Sequence, residues 1–215
     1  MRCCQSAACD TGRLFSRFAA RYRKRYRRRG LERSQEQLVA GLDAARLGTY
    51  SMLEIGCGVG YLHQHLLTRG GTHAVGVDLS ERMLAEARAL AAEDGLSTRV
   101  DYLVGDFVNL AEQIARVDVS LLDKVICCYP DAYILVQRAL DKTERACALI
   151  YPRRHLLNRC AIAIAAFLMA VTRNAYRPYF YEPEEVRTWI EERGFHRTWQ
   201  AETPLWRTEV YQRLQ

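Results

Sequence analysis

The segment Met52-Leu53-Glu54-Ile55-Gly56-Cys57-Gly58-Val59-Gly60 constrains this chain more than any other. An apolar strand runs directly into three glycines at alternate positions, and Tyr61-Leu62-His63-Gln64-His65-Leu66-Leu67 then reads as a helix. Glycine has no Cβ, so the backbone can turn sharply there and approach a ligand closely. Further along, a second strand, Ala74-Val75-Gly76-Val77, ends in Asp78. A carboxylate at that point lies beside the glycine turn and can accept both hydroxyls of a ribose. The G-x-G-x-G spacing differs from the G-x-G-x-x-G fingerprint that brings a pyrophosphate onto a helix N-terminus. Glu54, just before the glycines, would repel a pyrophosphate but suits a ligand with an ammonium and a sulfonium.

At these residues the chain resembles the S-adenosylmethionine-dependent methyltransferases of the Rossmann-like class. The resemblance covers about residues 50 to 214 and implies an α/β fold. Its sheet has seven mostly parallel strands, an antiparallel C-terminal hairpin and helices on both faces. It also implies S-adenosylmethionine as cofactor and S-adenosylhomocysteine as product. The residues expected at the cofactor are Glu54, Gly56, Cys57, Gly58, Gly60, Asp78, Leu79, Met83, Asp106 and Phe107. In the resembling family an acidic residue at the position of Asp106 bonds the adenine amino group, and its neighbour, here Phe107, packs on the ring. A helix cap and a core aromatic are the other readings of this pair.

The remaining strands are expected at about 99–104, 117–122, 146–151, 195–202 and 206–214. The last two are close enough to pair antiparallel. Ser80 should cap a helix burying Met83, Leu84, Ala87, Leu90 and Ala91 and ending at Asp94-Gly95. Pro183 opens another helix, with Val186, Trp189 and Ile190 inward and Gly194 after its end. Ligands of open α/β sheets bind beyond the carboxyl ends of the strands, so Asp123 to Pro130 should face the transferable methyl. The segment lacks the Asn/Asp-Pro-Pro-Tyr signature of methyltransferases acting on amino groups of bases. Within the class, the nearest likeness is to the magnesium-protoporphyrin O-methyltransferase-like group. It rests on the arginine- and tyrosine-bearing N-terminal helices, the Tyr129-Pro130 step and an apolar helix after the fifth strand. That group has a histidine before the Tyr-Pro, where this chain has Cys128.

Methyl transfer is an in-line displacement on carbon, so alignment and exclusion of water matter most. Asp123, Tyr129 and His155 are the candidate catalytic bases. His155 follows the pair Arg153-Arg154 and reads equally as a surface residue.

The N-terminal 48 residues read as a helical extension preceding a methyltransferase domain from residue 49 to 215. Leu14, Phe15, Phe18, Tyr22 and Tyr26 recur at helical spacing over residues 10 to 29, and Gly30 ends that helix. Ser34 with Gln37 forms a capping box for a second helix burying Leu38, Leu42 and Ala45, stopped by Gly48. The net charge is +6, yet the run from Arg21 to Arg29 holds seven of the 31 basic residues and no acid. Basicity therefore belongs to one segment. It reads as a solvated helix face, a contact for an anionic substrate or a peripheral membrane surface, or a nucleic-acid grip.

The apolar run from Cys160 to Val171 is too short to span a bilayer, which takes about 20 residues. It reads as a helix on the sheet or as a lid over an apolar substrate. The eight cysteines follow no disulfide framework, and with no evident signal peptide a cytoplasmic location is expected. Cys3, Cys4 and Cys9 lack a fourth ligand at matching spacing, so no metal is expected. The reading is an enzyme that methylates a small, largely apolar or anionic molecule at oxygen. An RNA methyltransferase and a non-catalytic binding module of the same fold are the alternatives.

Overall fold

The computed structural model describes residues 12–13, 15–153 and 179–213. His155, the expected apolar helix over 156–171, Leu14 and the cysteines at 3, 4, 9 and 160 lie outside the described residues.

Seven strands form one sheet: β1 (Tyr50–Ile55), β2 (Gly71–Asp78), β3 (Val100–Val104), β4 (Val117–Asp123), β5 (Thr143–Pro152), β6 (Phe195–Glu202) and β7 (Trp206–Arg213). Their order is β3-β2-β1-β4-β5-β7-β6. The first five are parallel, and β7 runs antiparallel to both β5 and β6. The order reverses between β1 and β4, the place where open sheets of this kind leave a crevice. The Rossmann-like sheet with its antiparallel hairpin is thus present. Several strands begin earlier than the apolar runs imply. Gly71 and Thr143 carry little hydrophobic signal but are fixed by pairing with Tyr50 and Val117.

The helices are α1 (Ala19–Arg29), α2 (Arg33–Ala44), α3 (Tyr61–Leu67), α4 (Glu81–Glu93), α5 (Phe107–Leu110), α6 (Ala132–Asp141) and α7 (Pro183–Glu191). Ser80 caps α4 by accepting from the Met83 amide at 3.1 Å, and the five expected residues are buried. On α7, Val186 and Ile190 are buried while Trp189 is only partly so.

The N-terminal region departs from expectation in four ways. The helix expected over 10 to 29 is interrupted, because Arg17 and Phe18 form a turn before α1 begins at Ala19. Phe18 is 39% exposed, so the aromatic stripe is not uniformly buried. The cap of α2 is Glu32 with Gln35, two residues earlier than Ser34 with Gln37. Both pairs have the same spacing, and Glu32 is fixed by a long-range ion pair to Lys124. Finally, α2 ends at Ala44, and Arg46 already has a positive φ of 51°, before Gly48 at 69°.

Two apolar layers enclose the sheet. On one side α2 contributes Leu38, Val39 and Leu42, packed with Met52, Ala146, Ile150 and Val210. On the other, α6 and α7 cover Leu53, Leu122, Leu149 and Tyr151.

Candidate active site

At the end of β1 the glycine turn is set by backbone geometry. Gly56, Gly58 and Gly60 have φ of 67°, 55° and 77°, a left-handed region that a side chain strains. The Cys57 amide donates to the Val77 carbonyl at 3.0 Å, tying the turn to β2. A Cβ at Gly56 would lie 2.8 Å from Val125, and one at Gly60 would lie 2.8 Å from His63. A Cβ at Gly58 would meet nothing within 4 Å, because Gly58 lines a cavity at the strand ends.

Asp78 ends β2 and accepts from the Gly58 amide at 2.8 Å on one oxygen and the Ser80 amide at 2.8 Å on the other. Burial pushes its carboxyl upward, and the two amides pull it back. The same carboxylate that faces the cavity therefore also shapes the turn. Glu54 is 2% exposed and accepts from the backbone of His63 at 3.3 Å. Its Oε2 also lies 2.6 Å from His63 Nδ1. His63, fully buried one turn into α3, carried no signal in the sequence beyond its distance of nine residues from Glu54.

Asp106 caps α5, accepting from the Val108 amide at 3.0 Å. It also receives the Tyr129 hydroxyl, 3.1 Å from each carboxylate oxygen. Burial and the Asp106 charge hold the Tyr129 phenol well above its usual range, so it stays a donor near neutral pH. Phe107 is in the core cluster and also lines the cavity. Asp123 ends β4, and its Oδ2 accepts from Gln35 Nε2 at 2.5 Å. Lys124 follows with a positive φ of 59° and donates to Glu32 at 2.7 Å. Its ammonium is 3.4 Å from Asp123 Oδ1 and 5.2 Å from the centre of the Trp206 ring. Burial works against its charge, but Asp123 and Glu32 outweigh that and raise it overall. Gln35 and Glu32 were not anticipated, and tertiary contact alone brings them to the site; Lys124 lies in the segment expected to face the methyl.

These groups converge on one cavity of about 890 Å³. Its walls include Glu54, Gly56, Cys57, Gly58, Asp78, Leu79, Met83, Asp106, Phe107, Asp123 and Tyr129. Gly60 is next to the wall residues Val59 and Tyr61 and turns the chain into α3. Thus the expected cofactor residues and two of the three candidate bases are brought together. Phe15, Phe18, Arg21, Tyr22 and Arg25 close the cavity from the N-terminal side. Ser16 bonds Ser80 at 2.5 Å, and Ala19 packs with Val59 and Met83.

Cys127 and Cys128 also line this cavity, with their sulfurs 3.7 Å apart. The Cys128 thiol and burial push the Cys127 thiol well up, which disfavours a thiolate there. Among the described residues, no group of three or more potential ligands could hold a metal ion.

Comparison with known proteins fits this geometry. The methyltransferase domain family matches residues 52–147. The ubiquinone biosynthesis O-methyltransferase of Leptothrix cholodnii is 30% identical over 169 residues, covering 74% of this chain and 67% of that protein. Its counterpart from Xylella fastidiosa is 30% identical over 162 residues, covering 67% of this chain and 60% of that one. The chain thus spans about two thirds or less of the length of these relatives. Among solved structures, magnesium protoporphyrin IX methyltransferase from Synechocystis PCC 6803 with bound SAH has the same fold. The TM-score is 0.69 at 20% identity, covering 94% of this chain and 98% of that one. The chain belongs to the S-adenosylmethionine-dependent methyltransferases. It is an enzyme of that class, and S-adenosylmethionine is its cofactor.

Proposed function

We propose that this enzyme methylates an oxygen atom of a small, largely apolar molecule that carries an anionic group. The observation that carries the reading is the mixed wall of the cavity. Phe15, Phe18 and Tyr22 line the cavity with apolar surface, and Arg21 brings a cation to the same wall, whereas Arg25 and Lys124 are already paired with Glu32. The relatives from Leptothrix and Xylella, named as O-methyltransferases of ubiquinone biosynthesis, support transfer to oxygen.

The cofactor fits on the side of the glycine turn. The left-handed glycines leave the backbone bare there, and the open space at Gly58 is where a side chain would intrude. Asp78 would receive the ribose hydroxyls and Glu54 the cationic end. Asp106 and Phe107 would meet the base, with Leu79 and Met83 as apolar walls. When bound, the cofactor supplies the activated methyl carbon. Asp123, at the end of β4, is the described group we assign to accept a proton from the acceptor hydroxyl. Gln35 fixes one of its oxygens, and Lys124 is near the other. Tyr129, held as a donor to Asp106, orients that side of the wall. The N-terminal aromatics exclude water, which strengthens each electrostatic contact within.

A small acceptor is favoured over RNA by how the basic run is used. Arg23 meets Glu86 and Glu93, Arg27 meets Glu93 and Asp94, and Arg25 meets Glu32. These residues are neutralised within the chain and are poorly placed to follow a phosphate backbone. RNA binding with a steep salt dependence, lost on neutralising Arg21 to Arg29, would overturn this preference.

Among the described residues, no helix is long and apolar enough to cross a membrane. Cys57, Cys127 and Cys147 are free thiols, which supports a reducing, cytoplasmic location. The test of the function is mass spectrometry of metabolite extracts incubated with enzyme and S-adenosylmethionine. A cofactor-dependent gain of one methyl group on an acidic, apolar compound is expected. Methylation confined to RNA or protein would contradict the reading.

A further inference from the structure

His63 is a buried titratable group that neither the fold nor the proposed chemistry has used. It sits directly behind Glu54, the carboxylate on the cavity wall at the end of β1. Its Nδ1 is 2.6 Å from Glu54 Oε2, and its Nε2 is 3.0 Å from the Tyr102 hydroxyl. Gln64 donates to that hydroxyl at 2.8 Å and to the Ala87 carbonyl at 3.0 Å. The Tyr102 hydroxyl is also 3.4 Å from the Ala87 carbonyl.

Gln64 Oε1 has no partner, but every other side-chain atom of this network is satisfied in two protonation states. With a neutral imidazole, Tyr102 donates to Nε2 and Nδ1–H donates to Glu54. With an imidazolium, Nε2–H donates to Tyr102, whose own proton turns to the Ala87 carbonyl. No atom is orphaned by the exchange, so moving the proton costs little hydrogen bonding. What changes is charge: the Glu54–His63 pair is neutral in the second state and carries one negative charge in the first. A cationic ligand on the cavity side of Glu54 favours the negative state.

We propose that His63 is a positioning residue for the cofactor, fixing the Glu54 carboxylate and releasing a proton to solvent as the cation binds. This rests on the reading that Glu54 receives the cationic end of S-adenosylmethionine. The other charged and titratable groups around the pair do not compete for the proton. Tyr102 on β3 and Cys57 in the glycine turn are both pushed upward, mainly by burial, and stay neutral. Asp123 on β4 and Asp78 on β2 add negative charge, and Arg88 of α4 lies over the outer face of Tyr102. Burial pushes Glu54 itself up, while the His63 contact opposes that, as expected where the two share a proton. The sign follows: affinity for the cation falls as pH drops and the pair becomes neutral, by at most about tenfold per pH unit for one proton.

The test is titration calorimetry of the full chain with S-adenosylmethionine, repeated in buffers of different ionisation heat across about pH 5 to 8. The proposal expects proton release on binding and weaker affinity at the acid end. The loss should be larger for S-adenosylmethionine than for S-adenosylhomocysteine, which lacks the sulfonium charge. His63→Asn keeps an N–H donor toward Glu54 but cannot take the proton. It should bind within a few-fold of wild type at the alkaline end and lose the pH dependence. His63→Phe, without a donor, should bind at least about tenfold more weakly throughout. A structural histidine that merely packs α3 on β1 would leave no proton signal. Binding by wild type without proton exchange, or an unchanged pH profile in His63→Asn, overturns the proposal alone. No cofactor binding at any pH overturns the cofactor assignment and this proposal with it.

Discussion

The two N-terminal helices are neighbours in sequence but are fastened to the molecule in opposite ways. In α2, Ser34, Gln35, Leu38, Val39, Gly41 and Leu42 are buried against the sheet. The packing is so close that a Cβ on Gly41 would lie 2.6 Å from Trp199 and 2.7 Å from Val210. In α1 only Ala19 is buried. That helix is held by Arg23 and Arg27 on the acids of α4, by Tyr26 stacked on Tyr61 at 4.7 Å, and by aromatics over the cavity. Close apolar packing is indifferent to salt, whereas exposed ion pairs are individually weak and screened. We infer that the removable part of the molecule ends near Gly30 and that α2 belongs to the core. A division at residue 48 would cut through that core.

Placing a charge on the buried face of α2 is the harshest way to break this contrast. Leu38→Asp would bury an unpaired carboxylate on the sheet, a cost of several kcal/mol. The variant should be recovered unfolded or aggregated by circular dichroism and gel filtration. A soluble, cooperatively melting variant would mean α2 is not core.

A smaller effect separates binding from closure. Asp78→Ala should weaken S-adenosylhomocysteine binding by about 1.5 to 3 kcal/mol for each lost hydrogen bond to the charged acceptor. The loss should be similar whether or not α1 is present, because Asp78 is fixed by Gly58 and Ser80 and not by that helix. Unchanged affinity would mean the ribose is held elsewhere.

The smallest effect is expected from neutralising the clamp. Arg23→Gln combined with Arg27→Gln should barely move the melting temperature but should make the chain after Gly30 easier to cleave by limited proteolysis. Wild type should acquire the same sensitivity as salt rises from about 0.1 to 1 M, where the screening length falls from about 10 to 3 Å. Protection that ignores both changes would mean that stacking and the aromatics alone hold α1.

Much of the sheet was legible because its signals are local. Apolar runs followed by glycines, and acids at strand ends, mark β1, β2 and β4 without tertiary knowledge. The cap of α2 was misread because Ser34/Gln37 and Glu32/Gln35 share a spacing and serine is the stronger N-cap in isolation. What decides for Glu32 is Lys124, 92 residues away. The aromatic stripe was misread at Phe18, because a helical repeat does not foretell the turn at Arg17 and Phe18. At the candidate site, the glycine turn and Asp78 stood out in sequence. The partners that orient the acids did not: His63 behind Glu54, Gln35 against Asp123 and Tyr129 on Asp106 are all tertiary. The helical period does place His63 on the face of Leu66 and Leu67 and His65 away from it, but it does not foretell that His63 meets Glu54.

The central claim is that α1 closes a cofactor site which the rest of the chain can build without it. It is tested most directly by removing residues 1 to 30 and measuring solubility, melting, S-adenosylhomocysteine affinity and methyl transfer on the same preparation. The account predicts a soluble, cooperatively melting protein that binds the cofactor product more weakly and has lost turnover, because water enters the site. Aggregation of the shortened chain would contradict it by making α1 part of the core. Full affinity and full turnover would contradict it equally, by leaving the helix no part in closing the site.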